Sequence, residues 1–236
     1  MSLKSITDDL ARETERLRFA PPVTHVYNPL RYARRSYDRY LRRFGRRPKR
    51  VILVGMNPGP WGMAQTGVPF GEISGVRDWM GICEPVGKPA PEHPRRPVDG
   101  FACRRSEVSG RRLWGWAAET FGPPGMFFRH FFVANYCPLM FMEATGRNRT
   151  PDKLPMAERR PLLAVCDTAL RKTLDHFQPE FVIGIGAFAA GRVAAVAADN
   201  NFAIGQITHP SPANPRANRG WSDIVSAELR RLGVSI

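Results

Sequence analysis

Four residues far apart in the chain stand where apolar runs stop: Asn57, Asn135, Gly186 and His209. Val51–Val54 gives way to a Gly- and Pro-dense loop that carries Asn57. His130–Ala134 ends at Asn135, Phe181–Ile185 at Gly186, and Ala203–Thr208 at His209. Taken singly, each is weak: an Asn after a strand most often satisfies turn amides, and a lone His is most often structural. If the four runs are parallel strands, their carboxyl ends share one crevice, the edge at which α/β sheets bind ligands. Three polar groups at that edge then read as a site. No Ser or Cys stands beside His209, and these ends hold neither a metal-ligand cluster nor a pair of carboxylates. That argues against acyl transfer, metal-assisted hydrolysis and two-carboxylate glycosidase chemistry. What remains is an amide to orient water, an amide to read a base edge and an imidazole to stabilise an anion, with Phe70 as a stacking face. Such parts suit an enzyme that extrudes a nucleobase and cleaves its glycosidic bond. No carboxylate is expected beside Asn57, so its loop is expected to position a water without deprotonating it.

The elements that must hold these residues follow from periodicity. Helical spacing is read at Leu3–Leu17, at Leu30–Phe44 after the Pro21-Pro22 break, at Ser74–Cys83, at Ser106–Phe121, around Leu162–Phe177, at Ala187–Ala198 and at Gly220–Leu232. Glu84–Arg105 is too rich in proline for regular structure, and its His93 is read as a surface residue. Trp114 and Trp116 fall on an apolar helix face and are expected in the core. Strands separated by helices or long connections predict an α/β fold: a three-layer α/β/α sandwich around a four-stranded, mostly parallel sheet. The expected organisation is a single domain over residues 1–236, with 1–49 a helical, Arg-rich amino-terminal extension packed on it. GIGAFAAG is not read as a dinucleotide fingerprint, because no acidic residue after a following strand completes it.

Composition narrows the partner. A formal charge of +14 favours an anionic partner, nucleic acid first and a membrane surface second. In Arg31–Arg50 the arginines Arg31, Arg34, Arg35, Arg39, Arg42, Arg43, Arg46, Arg47 and Arg50 are opposed by Asp38 alone. That segment reads equally as a phosphate-contact surface or a solvated face. Cys83, Cys103, Cys137 and Cys166 form no C-x-x-C pair, so reduced thiols are expected and neither zinc nor an iron–sulfur cluster. No apolar run is long enough for a membrane span, and the acidic amino end does not resemble a secretory signal. A cytoplasmic, nucleoid-associated location is expected, nuclear in a eukaryote.

The long motifs point further. Gly55–Gly71 (GMNPGPWGMAQTGVPFG) and His209–Trp221 (HPSPANPRANRGW) resemble the two signature motifs of the single-strand-selective monofunctional uracil-DNA glycosylases. The resemblance takes in Val76–Trp79, Glu92–Pro94, Ser106–Gly110, Asn135–Leu139 and Gly146–Asn148, covers roughly Val51 to Leu232, and leaves the Arg-rich segment outside. It implies a uracil-DNA glycosylase-like fold and a monomer that acts on uracil-containing DNA without a cofactor or metal. Asn57 would hold the attacking water and His209 would stabilise the departing uracil anion. Met56, Gly59, Met63, Phe70 and Asn135 would form the uracil pocket, with Phe70 stacking on the base and Asn135 reading its N3–H and O4 edge. Gly59 would leave space beside C5, which carries over acceptance of 5-hydroxymethyluracil. Ser211, Pro212, Ala213, Asn214, Pro215, Arg216 and Arg219 would form the DNA wedge and backbone contacts. Ala213 stands where some relatives carry a larger basic residue, and Arg216 is expected to supply part of that role. The alternatives are a non-catalytic basic nucleic-acid-binding protein on the same fold, or a glycosylase preferring another deaminated base such as hypoxanthine.

Overall fold

A computed structural model describes residues 1–197 and 202–236. Its centre is the strand Val51–Gly55, all five residues of which are buried, as expected of a parallel strand covered on both faces. In chain order the strands are β1 (Val23–Tyr27), β2 (Val51–Gly55), β3 (Phe131–Asn135), β4 (Met140–Glu143), β5 (Asn148–Arg149), β6 (Phe181–Ile185) and β7 (Ala203–Ile207). Four of them form a parallel sheet in the order β3-β2-β6-β7. Gly55 lies opposite Asn135 in that register, so the first two polar strand ends emerge side by side.

The helices are α1 (Leu3–Glu15), α2 (Pro29–Tyr32), α3 (Arg34–Phe44), α4 (Met63–Thr66), α5 (Val108–Phe121), α6 (Pro124–His130), α7 (Met156–Phe177), α8 (Ala187–Val196) and α9 (Trp221–Arg231). Contacts join α1 to α7, and α7 to α8, which lies over β2 and β6; α5 packs with α6 and α9. The close approach of α8 explains Gly184, where a Cβ would sit 2.2 Å from the Ala190 nitrogen. Helix α3 borders the sheet at β3, its Tyr40 hydroxyl donating to the Val133 carbonyl at 2.9 Å. Trp114 and Trp116 are buried in an aromatic cluster with Phe127, as the helical spacing predicted.

Several features depart from the expected pattern. A second, antiparallel sheet of order β1-β4-β5 pairs a strand from the amino-terminal 49 residues with the segment after Asn135. The helical spacing at Leu30–Phe44 is broken at Ala33 into α2 and α3. Ser74–Cys83 gives only a π-helical turn at Gly75–Trp79, and the Ala198 end of the predicted Ala-rich helix falls outside the described residues. His93 is a core residue, 1% exposed. Its Nδ1 accepts from the Arg95 N–H and its Nε2 meets the Glu143 carbonyl, so it fastens the proline-rich loop to β4. No helix among the described residues is long and apolar enough to cross a membrane.

Candidate active site

The strand ends open into a cavity of about 520 Å³ lined by Met56, Asn57, Gly59, Phe70, Asn135 and His209, among others. Gly55 permits their approach. A Cβ there would lie 2.5 Å from both the Asn135 Oδ1 and the Phe70 ring, so only glycine lets these two side chains close over the end of β2. Asn57 donates from Nδ2 to the Leu139 carbonyl at 3.1 Å, which fixes the amide plane and leaves Oδ1 as an acceptor. Phe70 adopts a left-handed conformation at φ 52°, a strained state for a bulky residue that surrounding bonds must hold. Its carbonyl accepts from the Glu72 N–H at 2.7 Å and the core Trp114 Nε1–H at 2.9 Å.

Asn135 donates from Nδ2 to the Met63 sulfur at 3.2 Å, a weak acceptor, while its Oδ1 is buried with no partner. A buried amide oxygen without a donor is unfavourable by roughly 1–3 kcal/mol, a deficit that a ligand N–H would remove. Across the cavity, the Ser211 N–H donates to His209 Nδ1 at 3.1 Å, which places the neutral ring's proton on Nε2. Burial lowers the His209 pKa and reinforces that neutral form. Gly186, at φ 87°, lets the ring come close: a Cβ would lie 3.4 Å from its Cδ2. The three polar strand ends therefore supply an acceptor at Asn57, an amide edge at Asn135 and a neutral donor at His209.

Behind Gly59 stands the carboxyl group of Glu107. A Cβ on Gly59 would lie 2.2 Å from Glu107 Oε2, and one on Gly62 2.6 Å from the same atom. A carboxyl group thus takes up the direction in which a Cβ at either glycine would point, and the expectation of no carboxylate beside the Asn57 loop is corrected. Burial pushes the Glu107 carboxyl up to about 7, against the pull of the Trp61 and Gly62 backbone N–H groups. Spacing gives no reason to select Glu107, which lies far from Asn57 in sequence and reads only as the start of a helix. Asn148, brought in by β5, also lines the cavity, and its Oδ1 is buried without a partner.

The loop after β7 carries the remaining candidates. Ser211 and Pro212 line the cavity, and Pro212, Ala213 and Pro215 are exposed. Asn214 Nδ2 donates back to the His209 carbonyl at 3.2 Å. Arg216 is drawn into an ion pair with Glu228 at 3.0 Å, and the Arg219 side chain makes no hydrogen bond or ion pair among the described residues. Arg112, which the periodicity gave no reason to select, ties this loop to α5 through the Pro210 carbonyl at 2.9 Å and Asn218 Oδ1 at 2.8 Å.

The Arg-rich segment divides. Arg31, Arg34 and Arg39 are paired with Glu15, with Asp8 and Asp38, and with Glu84. Arg46 and Arg47 instead line a cavity of about 730 Å³ with Lys49 and Arg129, where β2 and β3 begin and opposite the candidate site. The four cysteines are free, and the described residues contain no group of three or more His, Cys, Asp or Glu able to hold a metal ion.

A parallel α/β sheet with this polar carboxyl edge defines a ligand-binding crevice, and the comparisons give its family. The model of the uracil DNA glycosylase superfamily matches residues 43–227, and the chain belongs to that superfamily. It is 46% identical over 224 residues to the single-strand selective monofunctional uracil DNA glycosylase of Bos taurus, covering 94% of this chain and 82% of that protein. The Mus musculus protein of the same name is 44% identical over 227 residues, covering 95% and 81%. The crystal structure of wild-type Pedobacter heparinus SMUG2 superposes with a TM-score of 0.69 at 17% identity, over 97% of this chain and 98% of that one, a likeness of fold.

Proposed function

We propose that this protein is a monofunctional DNA glycosylase of base-excision repair that hydrolyses the N-glycosidic bond of uracil in DNA and leaves an abasic site. The observation that carries this reading is the unpartnered Oδ1 of Asn135 in the same cavity as Asn57 and a neutral His209. Uracil offers an N3–H donor beside an O4 acceptor, which matches an amide whose Oδ1 lacks a donor and whose Nδ2 holds only a thioether. Cytosine offers the opposite pattern. With that edge on Asn135 and O2 on His209 Nε2–H, Phe70 stacks on the extruded ring.

The reaction is dissociative. The C1′–N1 bond breaks ahead of attack, giving an oxocarbenium-like sugar and a uracil anion; water held at Asn57 Oδ1 adds to C1′ and loses a proton, which ends on the uracil anion, so that an abasic sugar and neutral uracil result. An amide does not take up the proton, so Asn57 positions water and His209 stabilises the charge on O2 by donating a hydrogen bond in a water-poor site. Among the described residues no lysine lines the cavity to form a Schiff base, and Lys49 belongs to the opposite edge, so strand cleavage does not accompany base loss. The enzyme works as a monomer without a cofactor or metal and on a single domain to which residues 1–49 belong. 5-Hydroxymethyluracil is a second substrate, single-stranded DNA is accepted, and Pro212–Arg219 contacts the strand around the extruded base. The test is release of uracil from a DNA oligonucleotide in chelator-containing buffer. No abasic product at enzyme in excess over DNA overturns the reading.

A further inference from the structure

Glu107 is the one ionisable group of the cavity that the scheme above does not use. It precedes α5 as its N-cap residue, yet its side chain caps nothing there. The side chain instead lies against the turn that joins Asn57 to Met63, so close to Gly59 and Gly62 that a Cβ at either position would displace the carboxylate. Oε2 is buried and without a hydrogen-bond partner, and no cation among the described residues offsets the carboxylate. The turn has matching deficits. The Trp61 N–H finds no backbone acceptor among the described residues, and the Gly62 N–H reaches only the Gly59 carbonyl at 3.4 Å. Donors that the backbone uses poorly or not at all and a carboxylate with an unpartnered oxygen therefore face each other across two glycines.

We propose that Glu107 is a positioning residue for the water-holding turn: its ionised carboxylate gathers the N–H groups of Trp61 and Gly62 from behind and thereby sets where Asn57 stands in the cavity and where Met63, buried outside the cavity lining, meets Asn135. Pro58 and Pro60 stiffen the turn, and the glycines open its back to the carboxylate. The proposal rests on the glycosylase reading of the same cavity. A group serving packing alone would be replaced by a neutral one at no loss. Here the carboxyl is held well above its ordinary value of 4.5, at about 7, so ionising it opposes folding. The folded chain keeps a proton that the unfolded chain has released, and this contribution to stability is lost as pH climbs from the ordinary value towards 7. Removing the charge should stabilise the fold while harming the reaction.

Other charges near the turn are Glu72, which adds to the rise, Arg96 and Arg105 over the Trp61 ring at 5.2 and 4.5 Å, and His209 across the cavity. His209 is shifted downward, so its titration falls below the ordinary 6.5 and separates from that of Glu107.

The experiment compares wild type, Glu107→Gln and Glu107→Ala by single-turnover uracil release from pH 5.5 to 9, by binding of uncleavable substrate DNA, and by thermal unfolding at pH 8. Wild type should gain rate as pH rises through about 7. Glu107→Gln should lose that limb, react about 10- to 100-fold more slowly at pH 8, bind DNA as wild type does, and unfold at a higher temperature. Glu107→Ala should be slower still, and in that background Gly59→Ala should cost less rate than it does in wild type, because the collision has been removed. A Glu107→Gln profile superimposable on wild type, or equal costs of Gly59→Ala in the two backgrounds, overturns the proposal. Failure of wild type to release uracil at any pH overturns the glycosylase reading instead.

Discussion

The loops after β2 and β7 meet over one cavity but are held in different ways. The β2 loop is fastened from outside. Asn57 bonds to the carbonyl of Leu139, Gln65 Nε2 donates to the carbonyls of Pro60 and Pro97 at 3.0 and 2.9 Å, and the Tyr32 hydroxyl donates to the Ala64 carbonyl at 2.7 Å. Trp114 and Glu107 press from behind. The β7 loop is fastened mainly to itself. Ser211 N–H meets His209 Nδ1, Ala213 N–H meets Ser211 Oγ at 3.2 Å, and Asn214 reaches back to His209, with Arg112 at its base and the Arg216–Glu228 ion pair as tethers to α5 and α9. The water side of the reaction therefore depends on residues scattered through the chain, whereas the leaving-group side depends on its own motif.

This difference orders the expected effects of substitution. His209→Ala removes the donor aimed at the leaving group, and by analogy with the loss of one oxyanion donor should slow single-turnover cleavage about 10²- to 10³-fold, roughly 2.7–4 kcal/mol. Asn57→Ala should slow the same step by about 10²-fold, since a dissociative reaction depends less on its water than on its leaving group. A larger loss at Asn57 than at His209 would reverse the assignment. Arg112→Ala should lower the rate by about tenfold or less with little change in thermal stability, because it loosens only the base of a loop that otherwise holds itself. Substituting Gln65, the corresponding brace of the β2 loop, should lower both rate and stability, because Gln65 is buried and also accepts from the Asp99 and Gly100 N–H groups.

A smaller effect concerns pH and the β7 loop alone. Because the His209 pKa is lowered in the folded protein, the unfolded chain takes up a proton near 6.5 that the folded chain refuses. Stability should therefore be retained above that pH and fall as pH drops below it, and the fall should be absent in His209→Gln. Thermal unfolding between pH 5 and 8 measures it.

The smallest catalytic effect is expected furthest from the cavity. Arg46→Gln, Arg47→Gln and Arg129→Gln together should leave single-turnover chemistry on a short oligonucleotide unchanged. If phosphates reach the amino-terminal edge of the sheet, the salt dependence of binding to long DNA should flatten.

What the sequence revealed follows the same division. The parallel sheet was legible because β2, β3 and β6 are apolar runs ending abruptly in Gly or Asn, and the aligned register of β2 and β3 sets Gly55 opposite Asn135, so that Asn57 and Asn135 line one cavity. His209 was legible because its loop is one continuous motif. The second sheet was not, since β1 and β4 are short and pair across more than a hundred residues, and with it Asn148 and the burial of His93 went unseen. Glu107 was invisible for a related reason. The two glycines recorded that something approaches the turn closely, but the carboxylate that does so arrives from another element. The Arg-rich segment read as one surface because composition does not distinguish an arginine paired with Glu15 from one facing an open cavity.

Leaving-group stabilisation at His209 carries more of the reaction than water positioning at Asn57. Single-turnover cleavage of oligonucleotides containing uracil or 5-fluorouracil, whose anion is the better leaving group, tests it directly in wild type, His209→Ala and Asn57→Ala. The loss caused by His209→Ala should shrink markedly with 5-fluorouracil while that of Asn57→Ala stays the same. Equal losses at His209 with both bases would contradict the account.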